Sequence, residues 1–348
     1  MVRAARAAAR APHAPPARMS EPAPLTAQVF GALADGRLHS GEELAKRLGV
    51  SRSAIWKATG SLRELGATVH AVRNRGYRLP HGGEPLDAAT IRLHLARDVR
   101  NHVASIESAW SIPSTNTRLL ERVPPSGGTS EVVLAEYQSA GRGRRGRAWF
   151  APPGGAICLS LSWTFREVPP DLGALSLVIG VCALRVLREA GVAGAALKWP
   201  NDLLIGERKL GGVLIEVRVG SSGSACVVIG IGLNVALGAK VLGKISAAGT
   251  AATDLASAGL ATSSRNAMAA ALIGGCVRGL IQFEREGLKP FSEEWRTADA
   301  LRGRPVSVTA AGAMAQGIAH GIDLHGALLV ETPQGVKRFV AGDVTVRA

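Results

Sequence analysis

Glu136-Tyr137-Gln138-Ser139-Ala140-Gly141-Arg142-Gly143-Arg144-Arg145-Gly146-Arg147-Ala148-Trp149-Phe150 sets three glycines and four arginines in the seven positions 141–147. No hydrophobic core absorbs four guanidinium groups. The stretch follows the apolar run Val132-Val133-Leu134-Ala135 and precedes Ile157 to Trp163, where large apolar and small residues alternate. Both flanks read as strands, so the spacing predicts a loop at a sheet edge. Glycine lets a backbone take φ > 0 and approach a ligand closely, and each guanidinium is a rigid fork of donors for phosphate or carboxylate. A solvated basic loop or a non-specific nucleic-acid patch has the same composition, so the rest of the chain has to decide.

Working outward, Ser114, Thr115 and Asn116 precede the helical Leu119-Leu120-Glu121 and offer hydroxyls and backbone N–H groups at a helix start. Lys198-Trp199-Pro200-Asn201-Asp202-Leu203 follows the apolar Ala195-Ala196-Leu197, which leaves the Lys198 ammonium at a strand end that suits an anion or a snorkelling side chain. Gly211 and Gly212 follow Arg208-Lys209-Leu210, and Asn234 closes Gly230-Ile231-Gly232-Leu233. Between these blocks, Leu172 to Ala190 reads as a long core helix. Lys209 to Val219 and Ala225 to Val235 read as adjacent strands whose Val213, Leu214, Ile215, Val217, Val227, Val228, Ile229 and Ile231 form buried runs. A mixed sheet with helices on one face follows. Asn266 to Glu286 and Phe291 to Arg296 are helical, and from Gly303 onward short strands alternate with glycines.

The 348 residues suit two or three domains, and 47% hydrophobic content suffices for a sizeable core. The boundaries read as a tail at 1–24, a small domain at 25–80, a linker and central domain at 81–298, and a C-terminal domain at 299–348. Met1 to Pro24 is Ala-, Arg- and Pro-rich and is expected to be a disordered tail; its arginines and scarcity of acids also resemble a transit peptide, and a misassigned start is the other alternative. The net charge of +14 favours anionic partners, and Leu25 to Pro80 carries more than its share. Cys158, Cys182, Cys226 and Cys276 form no pair motif, which suits a reducing cytosol and no zinc site; no metal-ligating cluster stands out. The longest apolar run, Ala174 to Leu184, is too short to span a bilayer, so no membrane association is expected.

Leu25 to Pro80 has its own pattern. Leu25, Val29 and Leu33 mark a first helix, Ser40 opens a second with a capping box, and Ser51 caps a third with Ile55, Ala58, Leu62 and Leu65 inward. Arg52, Ser53, Trp56 and Lys57 then occupy the outer face near its start, where a recognition helix reads bases. Arg73-Asn74-Arg75-Gly76 joins two short strands as a basic wing. A winged helix-turn-helix follows; a three-helix domain used for protein contact is the alternative.

Together these blocks resemble the biotin protein ligase family, and the winged helix in front resembles those members that also repress the biotin operon. The resemblance runs from Leu25 to the C-terminus. It implies an α+β multidomain chain with a biotin/lipoate-ligase-like central domain of mixed sheet and a small SH3-like C-terminal barrel. It implies catalysis by Lys198, Arg144 and Arg142. The biotin site would comprise Ser114, Thr115, Asn116, Gln138, Gly141, Arg142, Gly143, Arg144, Lys198, Gly211 and Gly212. The adenylate side would comprise Arg145, Arg147, Trp149, Trp199, Asn201, Asp202 and Asn234, with ATP and Mg2+ as cofactors. Implied partners are a biotin carboxyl carrier protein, operator DNA and a second copy of the chain once the adenylate forms, in the cytoplasm. A monofunctional ligase with a non-regulatory winged helix, and a lipoyl or octanoyl transferase relative, are the alternatives.

Overall fold

The computed structural model describes residues 23–80, 83–219, 225–260, 264–310 and 312–346. Positions 1–22 of the expected tail, and 81–82 of the expected linker, lie outside the described residues.

The first unit comprises α1 (Leu25–Ala32), α2 (Gly41–Leu48), α3 (Arg52–Glu64), β1 (His70–Val72) and β2 (Gly76–Arg78). Ser40 and Ser51 cap as their sequence predicts: Ser40 Oγ accepts from Glu43 N–H at 3.0 Å and Ser51 Oγ from Ala54 N–H at 3.2 Å. Phe30, Leu33, Leu44, Ile55 and Leu62 close a core of their own. A Cβ on Gly76 would lie 1.9 Å from the His39 carbonyl oxygen, and φ there is +132°, so the turn into the wing requires glycine.

The central unit runs α4 (Ala88–His94), α5 (Arg97–Arg100), β3 (Val103–Ile112), α6 (Thr115–Leu120), β4 (Ser130–Gln138), β5 (Ala156–Thr164), α7 (Leu175–Glu189), β6 (Ala195–Lys198), β7 (Asp202–Ile205), β8 (Arg208–Val219), β9 (Ala225–Asn234), α8 (Ala239–Ala247), α9 (Arg265–Glu286) and α10 (Lys289–Ala298). Its sheet has the order β3-β4-β5-β9-β8-β7-β6; β3 and β4 are parallel and the remaining neighbours antiparallel. The arginine-rich loop joins β4 to β5, both interior strands, and so rises from the end of the sheet's middle and not from its edge. Helices α4, α7 and α9 cover one face, where Val132, Leu134, Ile157, Leu159, Val227 and Ile229 meet them. The other face is not bare: Leu119 of α6 packs on Val133 and Val228. The buried run expected along β8 thins out, from buried Val213 to Val217, which is 46% exposed, because the strand outruns its helical cover. Helix α9 has the length and apolarity of a membrane span, but Leu272, Ile273, Val277, Leu280 and Phe283 are buried in this core.

The C-terminal unit has β10 (Pro305–Ala310), β11 (Ala313–Ile322), β12 (Leu328–Thr332), β13 (Gly335–Phe339) and β14 (Asp343–Val346), in the order β13-β12-β11-β10-β14. Its edge strands β13 and β14 are joined only by Val340, Ala341 and Gly342, so the sheet must curl to bring them near. The unit is the small antiparallel sheet domain expected at the C-terminus; among the described residues no ladder joins β13 to β14, so closure into a barrel is not shown.

Candidate active site

Alternation along β5 sends Ile157, Leu159, Leu161 and Trp163 into the core and leaves Cys158, Ser160 and Ser162 on the opposite face. On neighbouring β9 the residues of that face are Gly230, Gly232 and Asn234. A Cβ on Gly230 would sit 2.4 Å from Asn116 Oδ1, and one on Gly232 would sit 2.5 Å from the Trp149 indole. Small side chains at the sheet's centre therefore let Asn116 and Trp149 lie down on it. The space left open is a cavity of about 850 Å3.

One wall is a polar network. Ser114 caps α6, its Oγ accepting from Thr117 N–H at 3.4 Å. Gln138 Oε1 accepts the Thr115 backbone N–H at 2.8 Å and lies 3.1 Å from Thr115 Oγ1. Ser160 Oγ is 2.6 Å from Thr115 Oγ1 and 2.5 Å from Asn116 Oδ1, and Asn116 Nδ2 donates to Glu216 at 2.8 Å. Ser160 and Glu216 were not among the sequence-derived candidates. Each is a polar residue in an alternating strand, which by itself signals only a solvent-facing position.

The arginine loop forms the next wall. Arg142 Nη2 donates to Thr117 Oγ1 at 3.1 Å and to Glu216 at 3.3 Å. A 3-10 turn at Arg144–Gly146 holds Arg145 at φ +55°. Arg144 lines the cavity and donates to the Gly342 carbonyl at 3.3 Å; its burial draws the guanidinium below the usual arginine value. Arg147 and Arg145 both reach Asp343, at 2.6 and 2.8 Å. Arg145 thereby points to the C-terminal sheet and, unlike Arg147 and Gly143, lies off the cavity wall. Gly141 is likewise off the wall: a Cβ there would stand 2.5 Å from the Trp149 carbonyl, so glycine serves the loop's own closure.

Lys198 ends β6 on the third wall. Burial lowers its ammonium from the usual lysine value, against an opposing pull from Asp202, and among the described residues no carboxylate pairs with it. Asp202 is instead bound to Lys209 at 2.6 Å and lines the cavity beside it. Asn201 Nδ2 donates to the Val213 carbonyl at 2.7 Å and shapes the turn. Trp199 is 2% exposed and lines the cavity, and its indole N–H donates to the Gly326 carbonyl at 3.1 Å, so it also braces the wall against the C-terminal unit. Gly212 lines the cavity. Gly211 does not, because it abuts the Gly232 carbonyl. Asn234 is buried on the wall and donates to the Thr253 carbonyl at 3.0 Å. Trp149 covers the floor beside Cys158, whose thiol burial pushes up to about 11; all four cysteines are buried and free. Among the described residues no three His, Cys, Asp or Glu side chains gather as a metal site.

Away from the cavity, Arg52, Ser53 and Lys57 are exposed on α3 beside Trp56, which is 65% exposed, and Arg73 and Arg75 are exposed on the wing turn. All six sequence-derived DNA candidates are thus on the surface of the first unit.

Residues 109–234 match the biotin/lipoate A/B protein ligase family, 32–78 an HTH domain, and 302–347 the biotin protein ligase C-terminal domain. The bifunctional ligase/repressor BirA of Salmonella typhimurium is 40% identical over 325 residues, spanning 93% of this chain and 98% of the relative. That of Escherichia coli is 37% identical over 92% of this chain and 97% of the relative. Among solved structures, the biotin protein ligase from Aquifex aeolicus in complex with biotin and ATP is 25% identical, with a TM-score of 0.57 over 71% of this chain and 98% of that one.

Proposed function

The chain belongs to the biotin protein ligase family, and from that membership we propose that it is an ATP-dependent biotin–[acetyl-CoA-carboxylase] ligase and a biotin-responsive repressor. One observation carries the chemistry: a single cavity joins an amide-and-hydroxyl wall, the inventory a neutral urea needs, to the Lys198 ammonium, which has no carboxylate partner among the described residues, and to an arginine loop. The biotin carboxylate attacks the α-phosphorus of ATP, a C–O–P anhydride forms and pyrophosphate leaves. The amine of a carrier lysine then attacks the acyl carbon, an amide forms and AMP departs. Bringing carboxylate and triphosphate together is uphill without fixed cations, which Lys198, Arg142, Arg144 and Arg147 supply. Mg2+ would be carried by the triphosphate oxygens and would help neutralise them, since among the described residues no cluster of carboxylates, histidines or cysteines gathers to hold it. Closing the arginine loop over the anhydride would keep water from it.

The winged helix supports the second role. Two copies brought together by the adenylate would double the phosphate contacts to operator DNA, and a carrier consuming the adenylate would oppose that. The test of the first role is pyrophosphate release that requires both biotin and ATP, followed by biotin on one carrier lysine; release with lipoate and not biotin would overturn it. Gel shifts on DNA upstream of biotin genes, with and without biotin plus ATP, test the second against a ligase whose winged helix is idle.

A further inference from the structure

Helix α3 buries Ile55, Ala58 and Leu62 but leaves Trp56 65% exposed on its outer side. An indole is mostly apolar surface, so in water it forgoes the burial that Ile55 and Leu62 gain. Arg52, Trp56 and Gly60 follow one another at four-residue spacing and so lie in one row along the helix. Gly60 is the ninth of thirteen residues, in the helix interior, where glycine is weaker than alanine. Nothing within the chain requires it there: its φ is not positive, and a Cβ would meet nothing within 4 Å. A glycine that neither backbone nor packing demands keeps the helix surface low beside the exposed indole. Around this row the exposed charges are cationic, from Arg52 and Lys57 on α3 and Arg73 and Arg75 on the wing turn. The one carboxylate of α3, Glu64, stands at its last residue. Such a face suits a polyanion. Guanidinium and ammonium groups answer phosphates and the acceptor atoms of base edges. An indole face accepts no hydrogen bond of that kind; what it matches in a major groove is the apolar 5-methyl of thymine.

We propose that Trp56 is a specificity-determining residue of the DNA interface: its ring packs on the 5-methyl group of a thymine in the major groove, and Gly60, one turn on, lets the duplex come close enough for that contact. This deepens the operator reading and rests on it. The cations hold the duplex by its phosphates, whatever its sequence, and the indole adds a preference for one base. An indole lying against sugar and phosphate would be indifferent to that base, and one covered by a protein would be indifferent to DNA.

Fluorescence anisotropy of the full chain with biotin and ATP, on a labelled duplex from upstream of the biotin genes, tests this. Each thymine is replaced in turn by deoxyuridine, which removes only the methyl. With the unaltered chain, one thymine of a half-site is expected to bind about fourfold more weakly without its methyl, the worth of one buried methyl group. In Trp56→Ala the same replacement should cost nothing further. Trp56→Phe keeps an apolar face and should keep part of the sensitivity. The salt slope of Trp56→Ala should match that of the unaltered chain, because no phosphate contact is lost. Gly60→Ala should act with opposite signs, raising the melting temperature through helix propensity and weakening operator binding about threefold or more. A methyl loss of equal size with and without Trp56 would overturn the proposal. So would a Gly60→Ala chain that binds the operator normally, or a Trp56→Ala chain that binds every duplex as the unaltered one does. If the unaltered chain binds no such duplex, the operator reading falls and this proposal with it; if it binds and the deoxyuridine series is flat, only the proposal falls.

Discussion

Arg147 Nη2 and Asp343 Oδ1 form a 2.6 Å ion pair between the arginine loop and the first residue of β14, tying the loop over the cavity to the C-terminal sheet. Arg145 reaches the same carboxylate. Both arginines are solvent-accessible, so the pairs contribute at most about 1 kcal/mol each to stability. Their effect on where the loop sits is larger. Asp343→Ala should leave thermal unfolding nearly unchanged and raise the ATP KM about tenfold or more, since small misplacements of charged groups are costly. Unchanged kinetics would mean the loop is placed without the C-terminal sheet.

Lys198 gives a prediction of opposite sign for stability and activity. Its folded-state value lies below the usual lysine value because of burial. The unfolded chain therefore holds the proton more tightly, and stability should rise as pH climbs from the folded value toward the unfolded one. Lys198→Met removes the buried ammonium. It should raise the melting temperature of the ligand-free protein at neutral pH, flatten that alkaline rise, and cut adenylate formation by about a hundredfold or more. Loss of fold, or pyrophosphate release at the normal rate, would contradict the assignment.

Gly232 is predicted to be intolerant of the smallest addition. In Gly232→Ala the new methyl would meet the Trp149 indole at 2.5 Å and must lift it from the sheet. Ligand affinity should fall together with a red shift of tryptophan emission, while circular dichroism stays native. An unshifted spectrum with weakened binding would point to a cause other than Trp149.

Much of this site is legible in the chain because its determinants are local. Ser40 and Ser51 announce their helices, the glycine–arginine run announces a ligand loop, and Lys198 ends an apolar strand. What was not legible depends on partners far along the chain. Glu216 bonds Asn116 across 100 residues, and Arg145 is drawn off the cavity by Asp343 across 198. Trp199 follows its strand visibly, but the Gly326 carbonyl that takes its N–H lies 127 residues on. The sheet edge was misjudged for the same reason: β9 inserts between β5 and β8, a non-local pairing that local periodicity does not encode.

On the wing, Arg73 and Arg75 are exposed with no carboxylate partner among the described residues. If both meet phosphates, Arg73→Ala and Arg75→Ala should each weaken DNA binding about evenly across sequences and lower the salt slope by about one. Lys57→Ala, on α3, should also alter sequence preference if that helix reads the bases. A salt slope unchanged in the wing variants would exclude the wing from the phosphate contacts.

The most direct measurement is of the purified chain with ATP, Mg2+ and a biotin carrier domain, following pyrophosphate release and the intact mass of the carrier. The account predicts release only with biotin present, and one biotinyl group on one carrier lysine. Release that proceeds without biotin, or a carrier modified by lipoate and untouched by biotin, would contradict it.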